Sequence, residues 1–423
     1  MGRAVLTRPA LLALAALVVV LPGINAHGFW FDEAYTARVA TLVWSRLLAA
    51  AQLDIHPPGW PVVAGLFLAF PIPAEWALRL PAVLSFAALV AIVGSRNLLG
   101  GAALFFYSPL VEQASQGRPY VPMALGLVVL VRLLEREAWL WAGLTIAVVS
   151  ALHALGGPMC VALLLGSLGR RVPARGMLAI VAPPMVLSAW WLPNFLATSA
   201  AYVRQPWYTA ASATDWWIVS DAGGAAVAAV IIVLIAAVSR NPGAVAPAAA
   251  VGALLLALDA AGIGAEVRKT GLVILPLLLA GLTPRIATPA AIACLVVLGL
   301  RSAQIPDRPD LREAYAAVQR LPHDFPVVSV FASEAAWYFR TPAPLPSFRE
   351  PAAIGARLQE VVDSQNAPCI VSIALPGTFP EGTELPESLR TVLVADVTGL
   401  DVRVVGTRNC AVTGEREGWI SPG

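Results

Sequence analysis

Charge is scarce in this chain. Asp, Glu, Lys and Arg make up 13% of its 423 residues, against roughly 25% in an average soluble domain. Lysine is nearly missing: Lys269 is the only one, and the other basic residues are arginines. An arginine-biased genome explains most of that preference. Histidine and cysteine are each limited to four, and no stretch has an established zinc-binding spacing. There is no internal repeat and no low-complexity tract beyond Ala, Leu and Val bias. The missing repeat weighs against transporters built from repeated halves. A net charge of +2 is uninformative in itself, and no nucleic-acid partner is expected.

What fills the chain is apolar sequence, 58% of it, with a mean hydropathy of +0.74. Apolar runs of about 17–25 residues recur, the length needed to span roughly 30 Å of hydrocarbon. The fold class expected is an α-helical polytopic membrane protein, with about 11–13 spans given the uncertainty of short or Pro-broken segments. Expected segments include Ala10–Ala26, Pro57–Phe70, Ala77–Gly94, a short Leu98–Val111, Val121–Leu134, Trp139–His153, Gly157–Leu168 and Met177–Leu192. A Trp- and Tyr-rich loop, Pro193–Asp215, follows, and then Trp216–Val238, Ala244–Ala261, Thr270–Leu282 and Ala287–Leu300. Arg3 and Arg8 ahead of the first span place the N-terminus in the cytoplasm by the positive-inside tendency, which puts the next loop outside.

Charge divides the chain in two. Residues 1–303 hold 18 basic and 11 acidic residues, and residues 304–423 hold 10 and 15. The shift marks a boundary near Gln304 between a membrane part, 1–303, and a soluble tail, 304–423. The tail alternates helical periodicity (Leu311–Leu321, Ala352–Asp363) with β-branched runs (Pro326–Phe331, Cys369–Ala374, Asp401–Val405), the pattern of a small α/β domain. Cys160 and Cys294 fall in apolar spans and read as packing residues. Cys369 and Cys410 share the tail. They suggest a disulfide in an oxidising compartment, or else two buried thiols.

The polar exception to this apolar background is the outer loop 28–56 and its margin. It runs Phe29-Trp30-Phe31-Asp32-Glu33-Ala34-Tyr35 and ends Asp54-Ile55-His56-Pro57-Pro58-Gly59-Trp60-Pro61. Carboxylates beside a bilayer are costly. Between these ends, Asp32–Ala51 has apolar residues at helical spacing and reads as one amphipathic helix on the membrane surface. Asp32 and Glu33 suit a general base, and equally a helix N-cap and first turn. Asp54 and His56 are two apart ahead of a helix start, so both can face one pocket. His56 suits a phosphate or a metal, or else is a solvated loop histidine. Arg118, next to Tyr120, suits phosphate binding or snorkelling. His153 at a span end reads first as a packing residue. Arg268 and Lys269 at a span edge are a topology signal or a phosphate site.

In combination these motifs resemble one family. Phe31-Asp32-Glu33-Ala34-Tyr35, Asp54-Ile55-His56-Pro57-Pro58, Arg79-Leu80-Pro81 and Ser115-Gln116-Gly117-Arg118-Pro119-Tyr120, in that order, are similar to the GT-C superfamily of integral membrane glycosyltransferases. The nearest branch is that of the bacterial relatives of dolichol-phosphate-mannose protein mannosyltransferases and of the lipid A aminoarabinose transferase. The resemblance covers residues 29–120 and continues loosely through His153, Trp190-Trp191-Leu192-Pro193 and Arg268. It implies a polyprenyl-phosphate sugar donor, inverting transfer, and a glycan, lipid or protein acceptor. It also implies an active site and tail outside the bacterial inner membrane. By position Asp32 is the loop aspartate, with Glu33 beside it and Asp54 as a further acid. His56, Arg118, Tyr120, Arg268 and Lys269 fall at the donor phosphate. Val121, Pro122, Met123 and Ala124 follow Tyr120 where some branches carry an acid, so a divalent metal is possible but not required. The rival class is a transporter or flippase of lipid-linked sugars. A count of about twelve spans would return the tail to the N-terminal side, whereas the resemblance implies an outside tail.

Overall fold

A computed structural model describes residues 2–167 except 26–27, 30, 53 and 55. It also describes 172–202, a few positions between 246 and 279, and the segments 311–321, 325–329, 338, 343–344, 351–374, 385–397, 400–410 and 412. The chain forms two compact units. One comprises Met1–Ile24 and Val39–Ile305, the other Asn25–Arg38 and Pro306–Gly423.

The first unit is helical. Its elements are α1 (Gly2–Val20, extended by a 3₁₀ turn Leu21–Asn25), α3 (Trp44–Gln52), α4 (Gly59–Leu68), α5 (Ala74–Arg96), α6 (Leu98–Ala103), α7 (Ser108–Ala114), α8 (Tyr120–Glu135), α9 (Trp139–Leu152), α10 (Gly156–Gly166) and α11 (Ala174–Tyr202). Helix α2 (Phe31–Ala40) lies almost wholly in the second unit's segment. Among the described residues three helices are long and apolar enough to cross a membrane: Arg8–Asn25, Ala74–Arg96 and Ala174–Pro193. Their burial differs. In α5, 67% of the apolar window is inside the protein, against 17% for α1 and α11. Helix α5 is therefore the core, with Phe86, Leu89, Val90 and Val93 buried. Helices α1 and α11 turn Leu11, Leu14, Val18, Leu178 and Val186 outward. An outward apolar face of that extent fits hydrocarbon, not water.

Charged side chains close the ends of this bundle. Arg79, buried in the first turns of α5, donates to the carbonyl of Ile24 at 2.7 Å and satisfies an end of the 3₁₀ turn. At the other end of α5, Arg96 and Arg132 both grip Glu135, at 3.1 and 3.0 Å.

Three expectations from sequence are corrected here. The surface helix Asp32–Ala51 is two helices, α2 and α3, parted at Thr41–Val43, where β-branched residues weaken helix propensity. Only α3 is amphipathic at a surface, with Leu47 and Ala51 buried and Trp44 exposed, whereas α2 buries Ala34, Ala37 and Val39 within protein. The short span Leu98–Val111 does not exist as one helix. It breaks into α6, a 3₁₀ turn Leu104–Phe106 and α7. Gly101 lies so near α5 that a Cβ there would meet the Cα of Gly94 at 2.7 Å, so α6 folds back onto α5. Finally, α11 continues through Pro193 to Tyr202, into the stretch expected as loop. The rest of Pro193–Asp215 and the segments Trp216–Val238, Thr270–Leu282 and Ala287–Leu300 lie outside the described residues, except for single positions. So does most of Ala244–Ala261.

The second unit carries a five-stranded sheet. Its strands are β1 (Val327–Ser329), β2 (Ala343–Pro344), β3 (Cys369–Ala374), β4 (Arg390–Val397) and β5 (Leu400–Gly406), in the order β2-β1-β3-β5-β4. The β1 pairings with β2 and β3 are parallel, and β5 is antiparallel to both β3 and β4. Helices α12 (Leu311–Gln319) and α13 (Pro351–Gln365) belong to it, as does most of α2. Central strand β3 serves two cores. Cys369, Val371 and Ile373 pack with Ala314 of α12, and Ile370 packs with Leu358, Val361 and Val362 of α13. Such two-sided burial explains why β3 is a continuous apolar run broken only by the buried Ser372. Cys369 and Cys410 are joined in a disulfide, with Cα atoms 5.1 Å apart. The β2 and β4 strands had no counterpart in the sequence reading.

Candidate active site

In the first unit, polar side chains converge where helices end. The segment before α4 turns on Asp54. Its Oδ1 accepts from the His56 backbone N–H at 3.0 Å and lies 3.1 Å from His56 Nδ1. One carboxylate oxygen thus fixes both the backbone and the ring of His56. With Nδ1–H directed to that oxygen, Nε2 is the ring atom left to face a ligand. Both side chains keep partial exposure, 34% for His56 and 18% for Asp54.

Helix α4 starts against the last turn of α9. A Cβ on Gly59 would lie 2.4 Å from the carbonyl oxygen of Ala151, so only glycine permits this approach. The approach brings together the segment before α4 and the residue after α9. The rings of His56 and His153 meet edge to face, with centroids 5.1 Å apart. His153 is buried and its Nδ1 accepts from the Leu155 N–H at 3.1 Å, which leaves the neutral ring's proton on Nε2. The ring of Tyr120 also lies beside it, centroid to centroid 5.2 Å.

Tyr120 opens α8, and Arg118 stands just ahead of it. The Arg118 guanidinium donates to the Tyr120 hydroxyl at 3.0 Å, and its central carbon is 5.3 Å from the ring centroid, within cation–π range. The turn carrying Arg118 is held from α4, because Trp60 Nε1–H donates to the carbonyl of Gly117 at 2.9 Å. The result is a row: Asp54, His56, His153, Tyr120, Arg118. It presents imidazole, phenol and guanidinium donors, the set that suits a phosphate oxygen.

In the second unit, α2 holds Asp32 and Glu33 in its first turn, where the helix dipole favours negative charge. Glu33 is fully buried and Asp32 is partly exposed. The Thr36 hydroxyl donates to the Asp32 carbonyl at 2.7 Å, bracing the turn.

Of the residues expected from sequence, Asp54, His56, Tyr120 and Arg118 are brought together, and Asp32 with Glu33 sits on a helix of the other unit. Arg268 and Lys269 lie outside the described residues. Among the described residues no three His, Cys, Asp or Glu side chains converge as a metal site would need. His153, which reads from sequence first as a packing residue, is buried and stands beside this group; the Gly156-Gly157-Pro158 break follows the end of its helix.

No protein-family model matches the chain, and no curated protein matches it. Among solved structures it is similar to ArnT from Cupriavidus metallidurans in the apo state. That likeness is 14% identical, covers 93% of this chain and 97% of that one, and has a TM-score of 0.46. Nothing about this chain's donor, acceptor or residue roles follows from it.

Proposed function

We propose that this protein is a membrane glycosyltransferase that moves a sugar from a polyprenyl-phosphate donor to an acceptor hydroxyl at the outer face of the bacterial inner membrane. The observation that carries the proposal is the row His56–His153–Tyr120–Arg118 at the ends of apolar helices. A lipid-borne phosphate lies at the depth of the membrane boundary, where such donors can reach it while the lipid tail stays in hydrocarbon.

In the proposed reaction Asp32 takes the proton from the acceptor hydroxyl. The oxygen attacks the anomeric carbon from the face opposite the phosphate. The bond from that carbon to the phosphate oxygen breaks, and the electron pair leaves with the phosphate. Inversion follows from the single displacement. Charge developing on the phosphate is met by Arg118 and by His56, whose Nε2 donates when the ring carries both protons and Nδ1–H is held by Asp54; Arg268, by the family resemblance, and its neighbour Lys269 are assigned to the same phosphate. Asp54 serves here by orienting His56. In this reading the second unit faces the same compartment, where its disulfide is stable.

The test is transfer by the purified protein in detergent, supplied with lipid-phosphate sugars, together with mass analysis of glycans and lipid-linked sugars in a deletion strain. The expected result is loss of one sugar modification, accumulation of its lipid-linked donor and transfer in detergent. Accumulation without any transfer in detergent would instead identify a carrier that moves lipid-linked sugars across the bilayer.

A further inference from the structure

Segment Asn25–Arg38, which carries Asp32, packs in one compact unit with the last part of the chain. Two side chains hold it ahead of α2. The Phe29 backbone N–H donates to the Tyr338 hydroxyl at 2.7 Å, and the two rings lie 6.5 Å apart by their centroids. Phe29 itself is 1% exposed. Four residues earlier, Arg312 donates to the Asn25 side-chain oxygen at 3.0 Å and to the Asn25 carbonyl at 3.3 Å. Arg312 stands on α12, as does Tyr315, whose ring lies 5.9 Å from that of Tyr338. The C-terminal part of the chain thus grips the segment at both Asn25 and Phe29, and α2 begins two residues beyond the second grip.

We propose that Tyr338 and Arg312 are positioning residues for Asp32. The proposal rests on the reading of Asp32 as the base. A base must stand within hydrogen-bond reach of the proton it removes, and a shift of about 1 Å in a reacting group costs on the order of a hundredfold in rate. A helix entered by a loop is free to shift in this way unless its entry is tied. Tyr338 supplies a tie from a distant part of the chain, because its hydroxyl closes on the backbone N–H of Phe29. On this proposal the tail is a working part of the transferase, contributing the geometry of the base and not the binding of the donor.

The experiment uses the full-length protein, wild type and three variants. Tyr338→Phe removes only the hydroxyl and keeps the ring on Phe29, and Arg312→Gln removes the charge. Asp32→Asn serves as the comparison. Amide hydrogen exchange is read at Phe29 and, as a reference, over residues 120–135. Steady-state transfer supplies kcat and the donor KM. Tyr338→Phe is expected to raise exchange at Phe29 about fivefold, the loss of one ordinary hydrogen bond. It should leave residues 120–135 unchanged and lower kcat with the donor KM constant. Arg312→Gln should act in the same direction, and Asp32→Asn should lower transfer by about 10²–10⁴-fold with exchange at Phe29 unaltered. Unchanged exchange at Phe29 in Tyr338→Phe overturns the grip. Faster exchange with an unchanged kcat, or a donor KM that rises as much as kcat falls, overturns the positioning role. Exchange is read without donor. A wild-type protein with no transfer activity would therefore refute the proposed function while the Phe29 result still decided the grip.

Discussion

The two units hold their polar groups in place by different means. In the first, partners distant in sequence meet because helix backbones come close at a glycine, as His56 and His153 do around Gly59. In the second, position follows from strand register and a covalent tie. Cys369 opens β3 opposite Gly406 of β5, and Cys410 follows four residues on. The contrast has a physical source. A helix of apolar residues satisfies its own backbone, so polar side chains are affordable only at its ends, and tertiary approach must gather those ends. A sheet satisfies its backbone between strands, so register itself sets which side chains face one another.

The comparison can be broken from either side. Asp32→Asn should lower transfer by about 10²–10⁴-fold, the range of general-base catalysis, with the thermal transition unchanged. Transfer by the purified variant at a wild-type rate would remove Asp32 as the base. Replacing Cys369 and Cys410 by Ser opens a loop with a sequence separation of 41 residues. The chain-entropy model puts the loss at about 4 kcal/mol. Limited proteolysis should show new cuts in residues 311–410 and none in residues 56–166. Cuts spread equally over both would show that the units do not fold as separately as their internal contacts suggest.

Smaller effects test the first unit alone. His56→Ala and Arg118→Ala should each weaken donor binding by about 1.5–3 kcal/mol, the value of a charged hydrogen bond. A donor titration with unchanged affinity in both would remove the phosphate row. Gly59→Ala should cost about 1–3 kcal/mol of stability by overpacking against Ala151. Because it parts α4 from α9, it should also weaken donor binding although Gly59 touches no donor. A variant less stable but with normal donor affinity would show that the His56–His153 contact contributes nothing to binding.

Some of this was legible without coordinates. Apolar length and composition define membrane-crossing segments, because lipid demands both in local sequence. The α13 and β3 stretches of the tail were visible from periodicity to within one or two residues at each end. Cys369 and Cys410, the two cysteines beyond the apolar spans, stood out as a possible disulfide or a pair of buried thiols, and the structure joins them. The motif residues Asp32, His56 and Arg118 stood out because charge near a bilayer is costly.

Tertiary structure alone decided the rest. It split Asp32–Ala51 into two helices and placed the first of them with the C-terminal unit. It turned Asp54 toward His56, set His153 beside both His56 and Tyr120, and set Tyr338 on the backbone of Phe29. Sequence pattern reports the face a residue turns and the solvent it meets, both of which depend on near neighbours. It does not report which distant chain ends a close helix approach or a sheet brings to the same place, because that depends on the packing of every element between them.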